Sequence, residues 1–229
     1  MQLVLFDIDG TLVHTGGAGK RAFNSALEDV LGICDGLRDV RLDGKTDLLI
    51  LEEVLLAAGR PTRLPSSQYS LLYDRYIELL LQELERDRLS YRIYEGVVEL
   101  LQFLDGRKGV AVGLATGNLE RGARAKLEPG RLNRFFPFGG FGSDSADRTA
   151  LIRKAIERGA ALADGEVSDV VVIGDTPRDV SHGREAGARV LAVATGSYSV
   201  ADLVDCRADL VVEQLHPTPE VVEFIGTGG

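Results

Sequence analysis

The sequence predicts an α/β fold in which a Rossmann-like parallel sheet forms the core and an all-helical cap domain is inserted into it. Three observations support this: short valine-rich runs recur along the chain, helical patterns lie between them, and one long interval contains helical patterns only. The runs are apolar on both faces, which is typical of parallel strands covered by helices. Strands that alternate with helices are expected to pair in one sheet through right-handed crossovers.

The apolar runs predict the strands of the core. They cover residues 3–7, 110–116, 170–175, 190–195 and 208–212. An apolar stripe over residues 97–104 predicts one connecting helix, and a second stripe over residues 151–156 predicts another that ends before Gly159. Pro177 stands where it can begin a further helix, since proline suits the first helical position.

The interval between Thr11 and about Tyr94 contains no convincing strand. Its apolar spacing predicts three helices, over residues 22–31, 48–58 and 69–80, the last capped by Ser66 or Ser67. A helical segment of this length is too long for an ordinary crossover. We therefore predict an α/β core made of residues 1–14 and 92–229 and a helical cap made of residues 15–91.

The balance of charge limits the partners. The formal net charge of −9 argues against nucleic acid or an anionic membrane as the main partner, because both require a basic surface. No apolar run has membrane-spanning length, and the first strand begins too early for a signal segment to precede it. We expect a cytoplasmic protein, and the sequence leaves monomer and homodimer open.

Polar residues follow three of the predicted strands. Ligands of an open parallel sheet bind outside the carboxyl ends of its strands, so these residues are expected to converge. Two neighbouring carboxylates repel each other, and a divalent cation is the simplest way to offset the repulsion. An ionised aspartate beside such a cation can attack phosphorus. The residues are Asp7, Asp9 and Thr11 after the first strand, Thr116, Gly117 and Asn118 after the second, and Asp175 and Asp179 after the third.

These motifs resemble those of the haloacid dehalogenase-like hydrolases. The matching segments are residues 7–11, Thr116 and residues 174–179, and the resemblance extends to about Thr195. The long helical segment directly after the first motif is similar to the helical cap of the branch that contains phosphoglycolate phosphatase and β-phosphoglucomutase. The resemblance therefore implies a Rossmann-like hydrolase with an aspartate nucleophile.

The resemblance also implies a role for each acid. Asp7 would form an aspartyl-phosphate, and Asp9 would donate a proton to the leaving oxygen and later activate water. Mg²⁺ would be held by Asp7, Asp175 and the backbone carbonyl of Asp9, with Asp179 supporting the site directly or through a basic residue. Thr116 would hydrogen-bond the transferred phosphoryl group.

Other substrate contacts are predicted next to these motifs. Gly117 and Asn118 adjoin Thr116 and are predicted to bind substrate with it. The family also has a cation beside its nucleophile. Arg148 stands where that cation is expected, and Lys154, inside the following helix, is the alternative.

Two segments of the predicted cap carry lysines. Residues 42–47 resemble a cap turn whose basic residue, here Lys45, approaches the substrate. The alternative is that Thr46 or Asp47 caps a helix and that Lys45 is merely solvated. Residues 16–20 lack the spacing of a nucleotide-binding loop and are interpreted as a hinge between core and cap.

Asp9 distinguishes between the reactions of the family. The dehalogenases of the family lack an acid at this position, because a halide leaves without receiving a proton. An alkoxide, by contrast, needs a proton in order to leave. The prediction is a Mg²⁺-dependent phosphatase for a small phosphorylated metabolite, such as phosphoglycolate or a sugar phosphate. The alternatives are a phosphomutase of the β-phosphoglucomutase type and a receiver-like phospho-aspartate module, against which both Asp9 and the long cap argue.

Overall fold

The computed structural model describes residues 1–162 and 166–226. The strands of these residues are β1 (Gln2–Phe6), β2 (Val13–Thr15), β3 (Tyr91–Ile93), β4 (Val110–Thr116), β5 (Gly139–Phe141), β6 (Asp169–Gly174), β7 (Arg189–Val193) and β8 (Leu210–Val212). Six of them form one parallel sheet in the order β5-β4-β1-β6-β7-β8, and β2 and β3 form an antiparallel pair. This arrangement confirms the predicted Rossmann-like fold class.

Helices connect the strands and fill the interval after β2. Those of the interval are α1 (Ala18–Leu31), α2 (Asp47–Ala57) and α3 (Ser66–Arg86). Those of the core are α4 (Val97–Leu104), α5 (Glu120–Leu127), α6 (Arg148–Ala161), α7 (Pro177–Glu185), α8 (Val200–Asp205) and α9 (Pro219–Ile225). None of the helices in the two described ranges is both long and apolar enough to cross a bilayer.

The expectation of no strand between residues 11 and 94 is wrong at both ends of that interval. Val13 pairs with Ile93 and Thr15 with Tyr91, so β2 and β3 form a short ribbon where the helical segment leaves and rejoins the core. Three-residue strands are too short to produce a recognisable alternation of apolar and polar residues. The division into core and cap at residues 15–91 stays a proposal, and residues 163–165 and 227–229 of the proposed core lie outside the described residues.

Several predicted helix limits are also wrong: α1 begins at Ala18 and not at residue 22, and α3 ends at Arg86 and not at residue 80. Helix α6 continues through Gly159 to Ala161, and Gly159 is accommodated because Phe138 and Leu3 occupy the space that its side chain would need. Helix α3 begins at Ser66 directly after Pro65, and no side chain caps its first turn. A serine at a helix start therefore does not identify the capping residue by itself.

Strand β1 supplies both faces of the sheet with fully buried side chains. Val4 and Phe6 pack into the core on one face, while Leu3 and Leu5 pack into the core on the other. Successive side chains of a strand point to opposite faces, so a continuous apolar run is what a central strand requires. The segment after β1 is consequently held in place from both sides of the sheet.

The helical segment of residues 15–91 has its own apolar core. Phe23, Leu27, Leu51 and Leu72 are buried in it. Leu119 and Ala125, at the beginning and within α5 of the core, pack into the same cluster. The helical segment is therefore packed against the element that follows β4.

Helix α6 packs very closely against β5 at Gly140. A Cβ atom at this position would overlap the backbone carbonyl oxygen of Leu151, which cannot move without the helix. We expect Gly140→Ala to lower the free energy of unfolding by about 2–3 kcal/mol, measured by urea denaturation. Gly122→Ala is the matched control, because a Cβ there meets its neighbours at 3.5 Å or more inside a helix, and alanine is expected to stabilise by up to ~1 kcal/mol. Equal effects of the two substitutions would refute the close approach.

Candidate active site

Two neighbouring strands bring the first acids together. Asp7 follows β1 and Asp175 follows β6, and the Asp7 amide donates to the carbonyl of Ile173 at 2.9 Å. The chain order of the strands reverses between β1 and β6, which is where ligands of such sheets bind. Asp179 joins them from the first turn of α7, and one carboxylate oxygen from each of the three aspartates lies within 4.8 Å of the others.

Arg148 is the cation inside this acid cluster. Its Nη2 donates to Asp7 Oδ2 at 2.7 Å and to Asp179 Oδ1, and its Nη1 donates to the carbonyl of Gly44 at 3.1 Å. Burial alone would lower the pKa of Arg148, but the two aspartates raise it. Lys154, the alternative cation, pairs with Glu157 on the exposed side of α6. The position next to Asp7 thus favours Arg148, whose catalytic role stays a prediction.

Hydroxyl groups orient the other two acids. The Thr176 amide donates to Asp179 Oδ2 at 3.0 Å and the Asp179 amide donates to Thr176 Oγ1 at 3.2 Å, which forms the capping box of α7. The Thr176 hydroxyl also donates to Asp179 Oδ2 at 2.7 Å. Thr11 donates to Asp175 Oδ1 at 3.0 Å. Both oxygens of Asp179 therefore accept hydrogen bonds, one from Arg148 and one from Thr176. This favours the alternative in which Asp179 supports the metal site through Arg148 over the one in which it binds the metal directly.

The donor set fits a magnesium ion. Burial raises the pKa of Asp7, Arg148 opposes this rise, and Asp179 adds to it. Burial also raises the pKa of Asp175, and the charges of Asp179 and Asp7 raise it further. Three carboxylates face one guanidinium, so the cluster carries excess negative charge that a divalent cation would offset. Buried carboxylate oxygens are the ligands that Mg²⁺ prefers in proteins.

Hydrogen bonds join Asp9 to the loop after β4. Asn118 Nδ2 donates to Thr116 Oγ1 at 2.9 Å and to Asp9 Oδ2 at 2.8 Å. The Thr116 side chain also lowers the pKa of Asp7 by hydrogen bonding. The structure thus brings four of the predicted residues together. The Asp9 carboxylate points toward this network, and whether its backbone carbonyl holds a metal stays a prediction.

Lys126 belongs to the same network and was not predicted. Its ammonium donates to Asp9 Oδ2 and to Asn118 Oδ1, each at 2.6 Å. The residue is only 5% exposed, although it lies in a short helix that also carries Arg121 and Arg124. No local pattern separates this lysine from its basic neighbours, because no helix was predicted here and its burial depends on packing against the helical segment.

The turn of residues 44–47 lies directly on the loop after β4. The Asp47 amide donates to the carbonyl of Gly117, and Asp47 Oδ2 accepts from the Leu119 amide, both at 2.8 Å. A side chain at Gly117 would overlap the carbonyl of Lys45. Gly117 therefore permits a close approach between backbones, and its predicted substrate contact is untested.

The structure supports the predicted helix cap at Thr46 but not a solvated Lys45, whose side chain is only 11% exposed. Thr46 Oγ1 accepts from the Leu49 amide at 3.2 Å and so caps α2. Lys45 also lines the site, but its ammonium pairs with Glu53 at 2.5 Å. A substrate anion would therefore compete with Glu53 for this lysine.

These residues surround a cavity of about 410 Å³ between the sheet edge and the helical segment. Asp7, Asp9, Asp175 and Arg148 line its inner end. Lys20 and Arg92 line it from α1 and β3. A small molecule in the cavity would contact both the acid cluster and the helical segment.

Comparisons with known proteins agree with this arrangement. The family model described as haloacid dehalogenase-like hydrolase matches residues 1–187. A phosphoglycolate phosphatase from Caulobacter vibrioides is 30% identical over 218 residues, which is 95% of this chain and 89% of that protein. The crystal structure of a hydrolase from Pseudomonas syringae superimposes with a TM-score of 0.64 at 21% identity over 100% of both chains. An archaeal β-phosphoglucomutase from a Pyrococcus species gives 0.58 at 18% identity over 100% of both chains.

The fold and the site define an α/β protein with an acid cluster at the carboxyl edge of a parallel sheet. The chain belongs to the haloacid dehalogenase-like hydrolase family, and its relatives place it among the phosphatases of that family. The resemblance identified in the sequence is thereby confirmed. The two solved structures support the fold alone, since each is less than 25% identical to this chain.

Asp47 is expected to make stability depend on pH. Desolvation raises its pKa from 3.8 to about 6, although Lys126 opposes the rise. A raised pKa favours the protonated folded state, so the contribution of Asp47 is complete below about pH 4 and is lost as the pH rises through 6. Relative to Asp47→Asn, the wild type is expected to lose about 2 kcal/mol of unfolding free energy between pH 4 and 7 after allowance for partial exposure. The measurement is urea denaturation of both proteins across this range, and a constant difference would contradict it.

Proposed function

We propose that this protein is a Mg²⁺-dependent phosphatase that hydrolyses a small phosphorylated metabolite through an aspartyl-phosphate on Asp7. One observation carries the proposal: the buried Asp7 carboxylate adjoins Arg148 and opens onto a cavity that Asp9 also lines. A nucleophile, a cation for the phosphate and an acid for the leaving group are then within one site. Arg148 also has a buried Nε without a hydrogen-bond partner in the described structure, so one donor of the guanidinium is left unpaired beside the acid cluster.

The proposed reaction has two steps, formation of the aspartyl-phosphate and its hydrolysis. In the first, an Asp7 oxygen forms a bond to phosphorus, the ester bond to the leaving oxygen breaks, and Asp9 gives that oxygen its proton. In the second, Asp9 takes a proton from water, the water oxygen attacks phosphorus, and free phosphate and the Asp7 carboxylate are released. The bound Mg²⁺, held by Asp7 and Asp175, would neutralise charge on the phosphoryl group.

The proposed nucleophile is tested by Asp7→Asn. This change keeps the shape of the side chain and its contact with Arg148, but an amide does not form the acyl-phosphate. We expect the release of phosphate from 4-nitrophenyl phosphate to fall by on the order of a thousandfold or more, with little change in melting temperature.

Removal of the metal provides the control for this experiment. Excess chelator is expected to abolish wild-type activity, and added Mg²⁺ to restore it, because the acid cluster is then no longer neutralised. Full activity of Asp7→Asn would disprove the assignment of the nucleophile. Activity that survives chelation would remove the metal from the mechanism.

We further propose phosphoglycolate, or a similar phosphate ester with a second anionic group, as the substrate class. Lys20 and Arg92 line the cavity, and neither has an acidic partner within the described ranges. Unpaired cations at a cavity favour an anion over a neutral sugar. The name of the relative from Caulobacter vibrioides supports the same substrate.

The substrate class is tested with the double variant Lys20→Gln/Arg92→Gln. We expect its KM for phosphoglycolate to rise by about tenfold, because two charged contacts are lost. Its kcat/KM for 4-nitrophenyl phosphate, which carries no second anion, is expected to change by less than about threefold. Lys108→Gln, an exposed change just before β4 at the opposite edge of the sheet, is the control.

The same assays distinguish the alternatives. Equal losses with both substrates would contradict recognition of a second anion. Isomerisation of a sugar phosphate without release of phosphate would identify a phosphomutase instead.

A further inference from the structure

Lys126 is a buried ammonium that the proposed reaction does not use. It is separated from Asp9 by 117 residues, yet the two groups are 2.6 Å apart. Burial of an ammonium is costly, and an apolar side chain of similar size would often stabilise the fold at least as well. The position therefore requires an interaction that only a charged donor provides.

The hydrogen bonds of Lys126 and Asn118 select one oxygen of Asp9. Both residues donate to Oδ2, at 2.6 and 2.8 Å. No hydrogen bond to Oδ1 occurs within the described parts of the chain. Since Asp9 lines the cavity and its side chain is 47% exposed, Oδ1 is the oxygen left to exchange a proton with a substrate.

Lys126 is itself held by the helical segment. A Cβ atom at Gly19 of α1 would lie 3.2 Å from Lys126 Nζ, so α1 packs closely against the ammonium. Asp47 also attracts the ammonium, since Lys126 lowers the pKa of Asp47. The lysine is thus enclosed between Asp9, Asn118 and the helical segment.

We propose that Lys126 is a positioning residue that holds Asp9 by Oδ2 and so directs Oδ1 to the leaving oxygen. This inference rests on the proposed function, because it concerns the step in which Asp9 protonates the departing group. Without the ammonium, Asn118 is the one side chain of the described residues that still bonds the half-exposed Asp9 carboxylate. The rate of the first step is then expected to fall most for a leaving group that depends most on receiving a proton.

Aryl phosphates measure this dependence. The leaving groups of these esters carry no anionic substituent such as a carboxylate. A contact between Lys126 and such a substituent therefore does not affect the comparison of the two esters. 4-Nitrophenolate leaves readily without a proton, whereas phenolate is a poorer leaving group and depends more on the acid. The readout is the ratio of kcat/KM for phenyl phosphate to kcat/KM for 4-nitrophenyl phosphate, and this ratio is independent of the fraction of active enzyme.

In Lys126→Met we expect the ratio to fall by roughly tenfold or more. Arg121→Met is the matched control, because it removes another cation from α5, an exposed one paired with Asp74 of α3, and is expected to leave the ratio unchanged. If Lys126→Met does not fold, Lys126→Gln keeps part of the side chain and carries the same expectation. A merely structural lysine would lower both rates equally and leave the ratio at the wild-type value, which would overturn the proposal.

A double variant tests whether Lys126 acts through Asp9. If it does, Asp9→Asn/Lys126→Met has the same ratio as Asp9→Asn alone, since the group being positioned is already absent. A further fall of the ratio in the double variant would show that Lys126 acts on the substrate directly and would contradict the proposal. Failure of the proposed function has a different signature: the wild-type protein would then release no phosphate from either ester.

Discussion

The burial of three carboxylates around one guanidinium determines the rest of the site. Asp7, Asp175 and Asp179 are each at most 5% exposed, and their mutual repulsion is strong where water is excluded. Arg148 offsets part of that charge. The remaining excess explains why this edge of the sheet is suited to a divalent cation and to the phosphoryl group that such a cation accompanies.

The helical segment of residues 15–91 completes the site as well as covering it. Its turn at residues 44–47 accepts a hydrogen bond from Arg148 and exchanges two with the loop after β4. Its helix α1 approaches Lys126 at a glycine. The cation beside the nucleophile and the cation beside the acid are therefore both in contact with the same segment. Any movement of that segment would therefore shift Arg148 and Lys126 together.

The parts of the fold that were predicted are those with a strong local pattern. Strands β1 and β6 are apolar on both faces, and a buried parallel strand requires that composition. Strand β5 consists of Gly139, Gly140 and Phe141, and glycine has little preference for a strand. It forms because β4 pairs with it and because Gly140 lets α6 approach, and neither condition is visible locally.

The sequence by itself determined the chemical groups of the site, because Asp7, Asp9, Thr116, Asp175 and Asp179 all lie within a few residues of a strand end. Strand ends of a parallel sheet meet at one edge, so a local pattern was sufficient to bring these groups together. Only the tertiary structure decided between Arg148 and Lys154 as the cation beside Asp7, and only it revealed Lys126 beside Asp9. Arg148 reaches Asp7 across 141 residues and Lys126 reaches Asp9 across 117, and such contacts depend on how distant helices pack.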